Sequence, residues 1–275
     1  MHLLLIRHAE SVDNVAGVYG GSRDAALTAH GVLQTQRLAS SLVELKFEAK
    51  HVFSSNLQRA AMTATAVCEA QNQAHHASAP ELRFTQLSEL REKDFGNWEG
   101  VKFAPGPVDR RPVQSGAETS QSMMTRANVF LERHLLPVLS DNVDVNSEHA
   151  CVVVVSHGIM LGLLTKALVK KLHSPSPDPS LIQLASAGTS WSNTGYLDMV
   201  IKELPEQTMS AVASTITPWS RFHSEVSETN CTRHLKGLRK TRGGIGSAAY
   251  DAKQKTLEGF FNGRAKKRKA DHAST

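Results

Sequence analysis

Residues 2–11 read "HLLLIRHAES", in which four large apolar residues in a row are followed at once by Arg7 and His8. A short continuous apolar run with such an abrupt polar end is typical of a strand that is buried on both faces. The chain contains a second run of this kind, "ACVVVV" at 150–155, which also ends in polar sequence, "SHG" at 156–158. The two runs therefore predict two strands of a parallel sheet.

Helical patterns lie between and after these runs, over 29–45, about 56–70, 121–136 and 159–172. Thr28 is expected to cap the first of these helices, and Ser54 or Ser55 the second. Two late strands are predicted within 196–216, joined by a turn at Pro205. Strands that alternate with helices indicate an α/β domain, here a three-layer sandwich with a mostly parallel central sheet flanked by helices.

The composition is that of an ordinary soluble protein. At 275 residues, 40% of them hydrophobic, the chain is long enough for one large domain with an appendage. Its three cysteines, Cys68, Cys151 and Cys231, are far apart, which argues against a disulfide framework and against a zinc site. The first residues lack the pattern of a secretory signal, and no run approaches the roughly 20 apolar residues of a membrane span. We therefore expect a soluble, intracellular protein without membrane association.

The positive charge is concentrated in the last part of the chain. Residues 225–275 contain 12 Lys and Arg against 5 Asp and Glu and so carry +7, whereas the remainder, with 19 against 21, carries −2. Hydrophobic periodicity also fades after about Phe222. A basic segment without a core pattern is typical of a disordered interaction tail. The sequence thus predicts a folded domain over 1–222 and a disordered basic tail over 223–275.

A histidine follows each of the two predicted buried strands, His8 after the run at 3–6 and His157 after the run at 150–155. In open α/β sheets, ligands bind outside the carboxyl ends of the strands. A single histidine at a strand end is most often a structural hydrogen-bonding residue, but two at the same edge of a sheet can converge on one ligand. The sequence therefore predicts a site between these two side chains.

Six short motifs run along the chain on both sides of this site. They are "RHAES" at 7–11, "ALTAHG" at 26–31, "SSNLQRAAMTA" at 54–64, "LREKDFGNWEG" at 90–100, "GAETS" at 116–120 and "SHG" at 156–158. In this order they resemble the histidine phosphatase superfamily, also called the phosphoglycerate mutase-like family. The resemblance covers roughly the first 160 residues, and "NTGYLDM" continues it to about 200. The main departure is Ala9, where the family more often has glycine.

The resemblance implies a phosphoryl-transfer site that uses neither a metal nor another cofactor. His8 would be the nucleophile that forms a phosphohistidine, because a neutral imidazole is available near pH 7. Arg7 and Arg59 would bind the phosphate oxygens in bidentate fashion, and His157 would donate to the same phosphate. The adjacent histidines at 75–76 lack the spacing of a zinc site.

Glu92 would be the acid and base of this chemistry. As an acid it would protonate the leaving alcohol, and as a base it would activate the water that hydrolyses the phosphohistidine. This role requires a raised pKa. Glu89, Glu99 and Glu118 are nearby rivals, and the match to the family motif selects Glu92.

Three further residues match the family's substrate-facing loop, namely Asn14, Gly20 and Thr28. Each has a structural alternative: Asn14 as a turn residue, Gly20 as part of a turn with positive φ, and Thr28 as a helix cap. Glu118 is a secondary candidate of the same kind. Trp98 is expected to serve in packing rather than in stacking on a substrate.

The family contains both mutases and phosphatases. Mutases typically insert a longer segment where this chain has only about 15 residues between Gly100 and Gly116. The short segment favours an open phosphatase site that acts on a phosphorylated small molecule or a phosphoprotein. The alternatives are a phosphoglycerate mutase and a binding protein with a vestigial site, and the complete set of catalytic residues argues against the latter.

The tail contains two motifs of its own. Gln254, Leu257, Phe260 and Phe261 fit the pattern of a PIP box, the segment that docks on the sliding clamp PCNA. One helical turn would place the three apolar side chains on one face, with Gln254 as a polar anchor. The alternative is a short helix that folds back onto the domain.

Beyond the PIP box, "RAKKRK" at 264–269 resembles a nuclear import signal. Its alternative is a charged end that touches nucleic acid non-specifically. The expected location is therefore the nucleus, the cytoplasm or both.

Overall fold

A computed structural model describes residues 1–74, 80–103, 113–141, 148–172, 190–204, 217–240 and 245–251. Its centre is a six-stranded sheet in the order β3-β2-β4-β1-β5-β6. The strands are β1 (His2–Arg7), β2 (Glu48–Ser55), β3 (Phe84–Leu87), β4 (Ala150–Ser156), β5 (Tyr196–Glu203) and β6 (Phe222–Cys231). The pairs within β3-β2-β4-β1 are parallel, and β5 and β6 are added antiparallel. The predicted α/β class with a mostly parallel sheet is confirmed.

The helices cover both faces of the sheet. They are α1 (Val12–Ala16), α2 (Ala29–Glu44), α3 (Gln58–Ala74), α4 (Ser120–Phe130), α5 (Leu136–Asp141) and α6 (Gly158–Lys171). A π-helical turn, Leu131–Leu135, joins α4 to α5. Thr28 caps α2 as predicted, since its hydroxyl accepts the Gly31 N–H at 2.9 Å. None of the helices in the described parts of the chain is both long and apolar enough to cross a membrane.

The apolar runs of β1 and β4 supply the middle of two hydrophobic cores. Side chains alternate along a strand, so Leu3 and Leu5 pack on the side of α4 and α6, whereas Leu4 and Ile6 pack on the side of α2 and α3. All four are fully buried. Burial on both faces explains why these strands read as unbroken apolar runs.

Strands β2 and β3 lie where the sequence predicts none. The first half of β2 is polar and partly exposed, and β3 has only four residues. Both are fixed by parallel pairing to a neighbour rather than by their own pattern, since β2 pairs with β4 and β3 pairs with β2. Ser55 ends β2, and its hydroxyl accepts the Leu57 N–H at 3.2 Å just ahead of α3.

The predicted domain boundary at 222/223 is wrong, because Phe222–Cys231 forms the edge strand β6. This strand pairs with β5 from Glu203–Phe222 to Tyr196–Cys231. Apart from Phe222, Val226 and Cys231 its residues are polar on both faces, so it has no apolar periodicity that would reveal it in the sequence. The predicted strand β5 is confirmed, whereas the second late strand, expected before residue 217, falls outside the described residues.

The chain continues beyond β6 along the body of the domain. Ala248 accepts the Ala29 N–H at 3.0 Å, and the Tyr250 N–H donates to Leu27 at 2.9 Å. Lys240 Nζ pairs with Glu10 at 2.9 Å. The folded part therefore extends at least to Asp251. The motifs at 254–261 and 264–269 lie outside the described residues.

Candidate active site

The two histidines meet because β1 and β4 are parallel neighbours. Arg7 pairs in register with Ser156, so the residues that follow, His8 and His157, leave the sheet side by side. The His8 N–H donates to the Ser156 carbonyl at 3.0 Å. The centroids of the two imidazole rings lie 4.9 Å apart.

The surroundings of His8 select one form of its imidazole. Nδ1 lies 2.7 Å from the Ala9 carbonyl oxygen, and since a carbonyl only accepts, Nδ1 carries the proton. Nε2 is left with a lone pair, toward which Arg59 Nε donates at 3.3 Å. Burial, followed by the charges of Arg59 and Arg7, holds the pKa of His8 well below its usual value. The result is a neutral imidazole in which Nε2 is the unprotonated nitrogen, the form that an attacking imidazole requires.

Alanine is accommodated at position 9 without strain. Ala9 is fully buried, and it is not among the described non-glycine residues that have a positive φ. Its N–H donates to Thr63 Oγ1 at 3.2 Å while its carbonyl orients His8. The backbone does the orienting, so glycine is not required here.

Two guanidinium groups flank His8. Arg59 lies in the first turn of α3 and is buried, with Nη1 donating to Arg23 at 2.6 Å and Nη2 to Gly21 at 2.8 Å. Arg7 donates through Nη1 to the Trp191 carbonyl, and its Nε is buried without a partner among the described residues. Both cations are therefore held by backbone carbonyls, which fixes their position without neutralising their charge.

His157 is the residue immediately before α6 and is fully buried. Its Nε2 lies 2.9 Å from Ser55 Oγ, and its Nδ1 has no partner among the described residues. Ser55 Oγ accepts the Leu57 N–H and can donate its own hydrogen to Nε2, in which case the imidazole proton lies on Nδ1. Burial, followed by the charge of Arg59, keeps the pKa of His157 well below its usual value.

The carboxyl group of Glu92 lies against the first turn of α6. Oε2 accepts the Ile159 N–H at 3.1 Å, and Oε1 accepts the N–H groups of Met160 at 3.2 Å and Lys93 at 2.9 Å. Burial raises the pKa of Glu92 and outweighs these donors, which act in the opposite direction. The protonated form therefore persists to higher pH than in an ordinary glutamate, as an acid catalyst requires.

The rival glutamates serve other purposes. Glu99 Oε1 accepts the N–H and the hydroxyl of Ser22 at 2.6 and 2.8 Å. Glu118 forms a bidentate pair with Arg126, whose Nε donates to Oε1 and whose Nη2 donates to Oε2, each at 2.8 Å. Burial opposes its ionised form, but hydrogen bonds from Arg126 and Ser122 outweigh burial and lower the pKa of Glu118 to about 2. Neither of these carboxylates, nor Glu89, lines the cavity described below.

The pair of Arg126 and Glu118 holds the segment that carries Glu92. Arg126 Nη1 donates to the carbonyls of Glu89 at 2.7 Å and Arg91 at 3.0 Å, both just ahead of Glu92 in the chain. The segment is thus tied to α4 through backbone groups. Glu118 acts by positioning and not as a substrate contact.

A cavity of about 560 Å³ opens beside the histidines. Of the residues that the sequence singles out, its lining contains Arg7, His8, Asn14, Gly20, Arg59 and Glu92. His157 packs against His8 but is fully buried and is not part of the lining. The prediction that Thr28 faces the substrate is wrong. Thr28 is fully buried outside this lining, and its hydroxyl caps α2 and donates to Glu10 at 2.7 Å. Its role is the structural alternative given above, that of a helix cap.

Other lining residues were not singled out from the sequence. They are Ser11, Asp13, Val18, Gly21, Lys93, Phe95, Phe103, Ser120, Met123, Gly158, Ile159, Gly162, Leu163, Lys166 and Trp191. Those on α6 repeat with helical spacing after "SHG", a signal present in the sequence. Phe103 and Trp191 reach the cavity only through tertiary structure. Trp98 lies behind it against Tyr19, with ring centroids 5.4 Å apart, as expected of a packing residue.

The site is built from cations, imidazoles and two carboxyl groups, those of Glu92 and Asp13. Among the residues that the structure describes, no group of three or more His, Cys, Asp or Glu side chains has the geometry to hold a metal ion. His75 and His76 fall outside those residues. Four positive side chains line the cavity, namely Arg7, Arg59, Lys93 and Lys166. The arrangement can bind an anion and present a nucleophilic nitrogen to it.

Comparisons with known proteins agree with this geometry. Residues 3–186 match the model of the histidine phosphatase superfamily (branch 1). A probable phosphatase of Schizosaccharomyces pombe is 30% identical over 264 residues, which cover 94% of this chain and 78% of that protein. The adenosylcobalamin/alpha-ribazole phosphatase of Salmonella typhimurium is 30% identical over 181 residues, covering 62% of this chain and 80% of that protein.

Solved structures show the same architecture. Mycobacterial glucosyl-3-phosphoglycerate phosphatase superposes with a TM-score of 0.61 at 17% identity, covering 84% of this chain and 99% of that one. Phosphoserine phosphatase of Entamoeba histolytica superposes with a TM-score of 0.53 at 21% identity, covering 85% and 98%. At such low identity these likenesses establish the fold alone.

Proposed function

Because the chain belongs to the histidine phosphatase superfamily and is a phosphatase, we propose that it hydrolyses phosphomonoesters through a phosphohistidine on His8, without a metal ion. The observation that carries this proposal is the buried, neutral imidazole of His8, whose Nδ1–H donates to the Ala9 carbonyl and whose Nε2 lone pair lies beside Arg59. Nucleophile and phosphate-binding cation are thus adjacent before any substrate arrives.

In the first step His8 Nε2 attacks phosphorus and the bond to the leaving oxygen breaks. Arg7 and Arg59 stabilise the charge on the equatorial oxygens, a role in which fixed donors are worth several kcal/mol. His157 Nδ1–H donates to the same group. Glu92 gives its proton to the leaving oxygen, so that a neutral alcohol departs.

In the second step the carboxylate of Glu92 takes a proton from water, and the resulting hydroxide attacks phosphorus. The P–N bond breaks, inorganic phosphate forms, and the neutral imidazole of His8 is restored. Glu92 is protonated again, ready for the next substrate. One carboxyl group therefore serves both steps, which is why its raised pKa matters.

Incubation with p-nitrophenyl phosphate, with and without a chelator, tests the proposal. Activity that survives chelation, together with a covalent phosphoprotein that is labile to acid and stable to base, supports a phosphohistidine. Loss of activity on chelation would contradict the metal-independent route. Interconversion of 2- and 3-phosphoglycerate would favour the mutase alternative, and binding of substrate without any turnover would favour the vestigial site. Relatives such as the alpha-ribazole phosphatase make phosphorylated small molecules the first substrates to screen.

We further propose that the tail docks on PCNA through Gln254, Leu257, Phe260 and Phe261, with "RAKKRK" directing the protein to the nucleus. Support comes from the ordered fit to the motif and from the basic residues around it, which would steer the tail toward an acidic surface. The described chain ends at Asp251, which is exposed. The motif therefore follows a surface point of the domain.

The double variant Phe260→Ala/Phe261→Ala of the full chain is expected to weaken PCNA binding at least about tenfold, because two buried aromatic anchors are lost. Isothermal titration with purified clamp measures the effect. A matched control replaces Lys253, which precedes the motif, and Lys255, which lies at a position that the motif leaves unspecified, with alanine. It is expected to change affinity much less. Equal affinity of the double variant and the wild type would remove the PIP-box proposal.

A further inference from the structure

Helix α6 presents one stripe of side chains to the cavity. Ile159, Gly162, Leu163 and Lys166 all line it, and their spacing places them on one face of the helix. The stripe begins next to His157, beside the reacting phosphate, and ends in a positive charge. It is the wall along which the non-reacting part of a substrate would lie.

Much of the cavity surface around this stripe is apolar. Ile159 is 43% exposed and Phe103 is 54% exposed, although both line the cavity. Met123, Phe95 and Trp191 add further apolar surface to the same space. Covering such surface with an apolar group removes it from water and is therefore favourable. The cavity therefore fits a substrate whose body is largely apolar.

The charge of the cavity exceeds what a phosphate alone requires. Arg7 and Arg59 offset the two negative charges of a phosphate dianion, and Asp13 is paired with Arg23 at 3.2 Å. Lys93 and Lys166 remain, and neither ammonium group is paired with a carboxylate among the residues that the structure describes. Lys93 lies over the Phe95 ring, 5.5 Å from its centroid and next to Glu92 in the chain. Lys166 is therefore, among the described residues, the unpaired cation of the lining that lies away from the reacting groups.

We propose that this phosphatase acts on elongated phosphomonoesters that combine an apolar body with a second anionic group, and that Lys166 binds that distal anion. The inference rests on the proposed function and specifies its substrate class. Lys166 lies about 12 Å farther along α6 than Gly158, because each residue of a helix adds 1.5 Å. Helical side chains lean toward the N-terminus, so the ammonium group lies somewhat closer to the phosphate than that.

A series of alkyl phosphates of increasing length, each with and without a terminal carboxylate, tests this inference. The wild-type enzyme is expected to prefer the carboxylate in kcat/KM by about tenfold, the size expected for a charge-assisted hydrogen bond at a half-buried site. The preference is expected only in chains that span about 8–12 Å between the two anions. Shorter acids such as phosphoglycerate would gain nothing from Lys166.

In Lys166→Met the ratio of the two kcat/KM values is expected to fall to about one, while Lys166→Arg restores it. Lys170→Met is the matched control, since Lys170 lies on the same helix, is exposed and does not line the cavity. Hydrolysis of both series by the wild type with no preference for the carboxylate, or an unchanged preference in Lys166→Met, would overturn the inference alone. Hydrolysis of neither series, nor of p-nitrophenyl phosphate, would overturn the proposed function with it.

Discussion

Replacing His8 with alanine is expected to lower the turnover of every phosphomonoester by about 10⁴-fold or more, because the covalent route is lost together with its nucleophile. The site offers no substitute of equal quality. His157 lies close by, but it is fully buried and its Nε2 is engaged by Ser55. Steady-state assays with p-nitrophenyl phosphate measure the loss, and rapid acid-free quenching measures the phosphoprotein.

His157→Ala provides the matched comparison for His8. It removes a buried imidazole of the same size from the same site, but it leaves the nucleophile in place. We expect it to retain slow formation of the phosphoprotein, whereas His8→Ala forms none. Thermal unfolding of both variants shows whether either loss reflects misfolding. Full activity of His8→Ala, or a phosphoprotein formed on another residue, would contradict the assignment.

Only part of the site can be predicted from the sequence. His8 and His157 can be paired from the sequence because each follows a continuous apolar run, and such runs are buried neighbours in a parallel sheet. Glu92 cannot be placed in this way. Its position depends on α6, whose first turn donates to its carboxyl group, and on Arg126, which holds its segment. Only the family motif distinguishes it from Glu89, Glu99 and Glu118.

The parts of the fold that the sequence does not reveal share one property: they are specified by their neighbours. Strand β2 begins with polar residues and depends on β4 for its pairing, and edge strand β6 is polar at most of its positions. Neither buries enough apolar surface of its own to give a pattern. Trp191 likewise lines the cavity from a distant part of the chain, where its carbonyl accepts from Arg7.

Replacing Glu92 with glutamine is expected to lower kcat about 10²- to 10⁴-fold, because the amide can neither give nor take the proton that each step requires. The two steps respond differently to the substrate. With p-nitrophenyl phosphate the leaving group needs no proton, so the phosphohistidine still forms and then accumulates, since no base activates water. A stopped-flow burst of about one equivalent of p-nitrophenol followed by slow turnover is the expected signature. Absence of a burst, with kcat close to that of the wild type, would remove Glu92 from the mechanism.

The pH dependence separates the acid role of Glu92 from a general effect on binding. Burial raises the pKa of Glu92, so its proton is present below that raised pKa and is lost as the pH rises through it. For alkyl phosphates, kcat/KM of the wild type should therefore decline on the alkaline side, and the decline should be absent in Glu92→Gln. On the acid side, the lowered pKa of His8 keeps the nucleophile neutral below the pH at which an ordinary histidine is protonated. Glutamine retains one oxygen that can accept from Met160 and Lys93, whereas its NH2 group then faces the Ile159 N–H, so thermal unfolding of the variant is measured beside the pH profile.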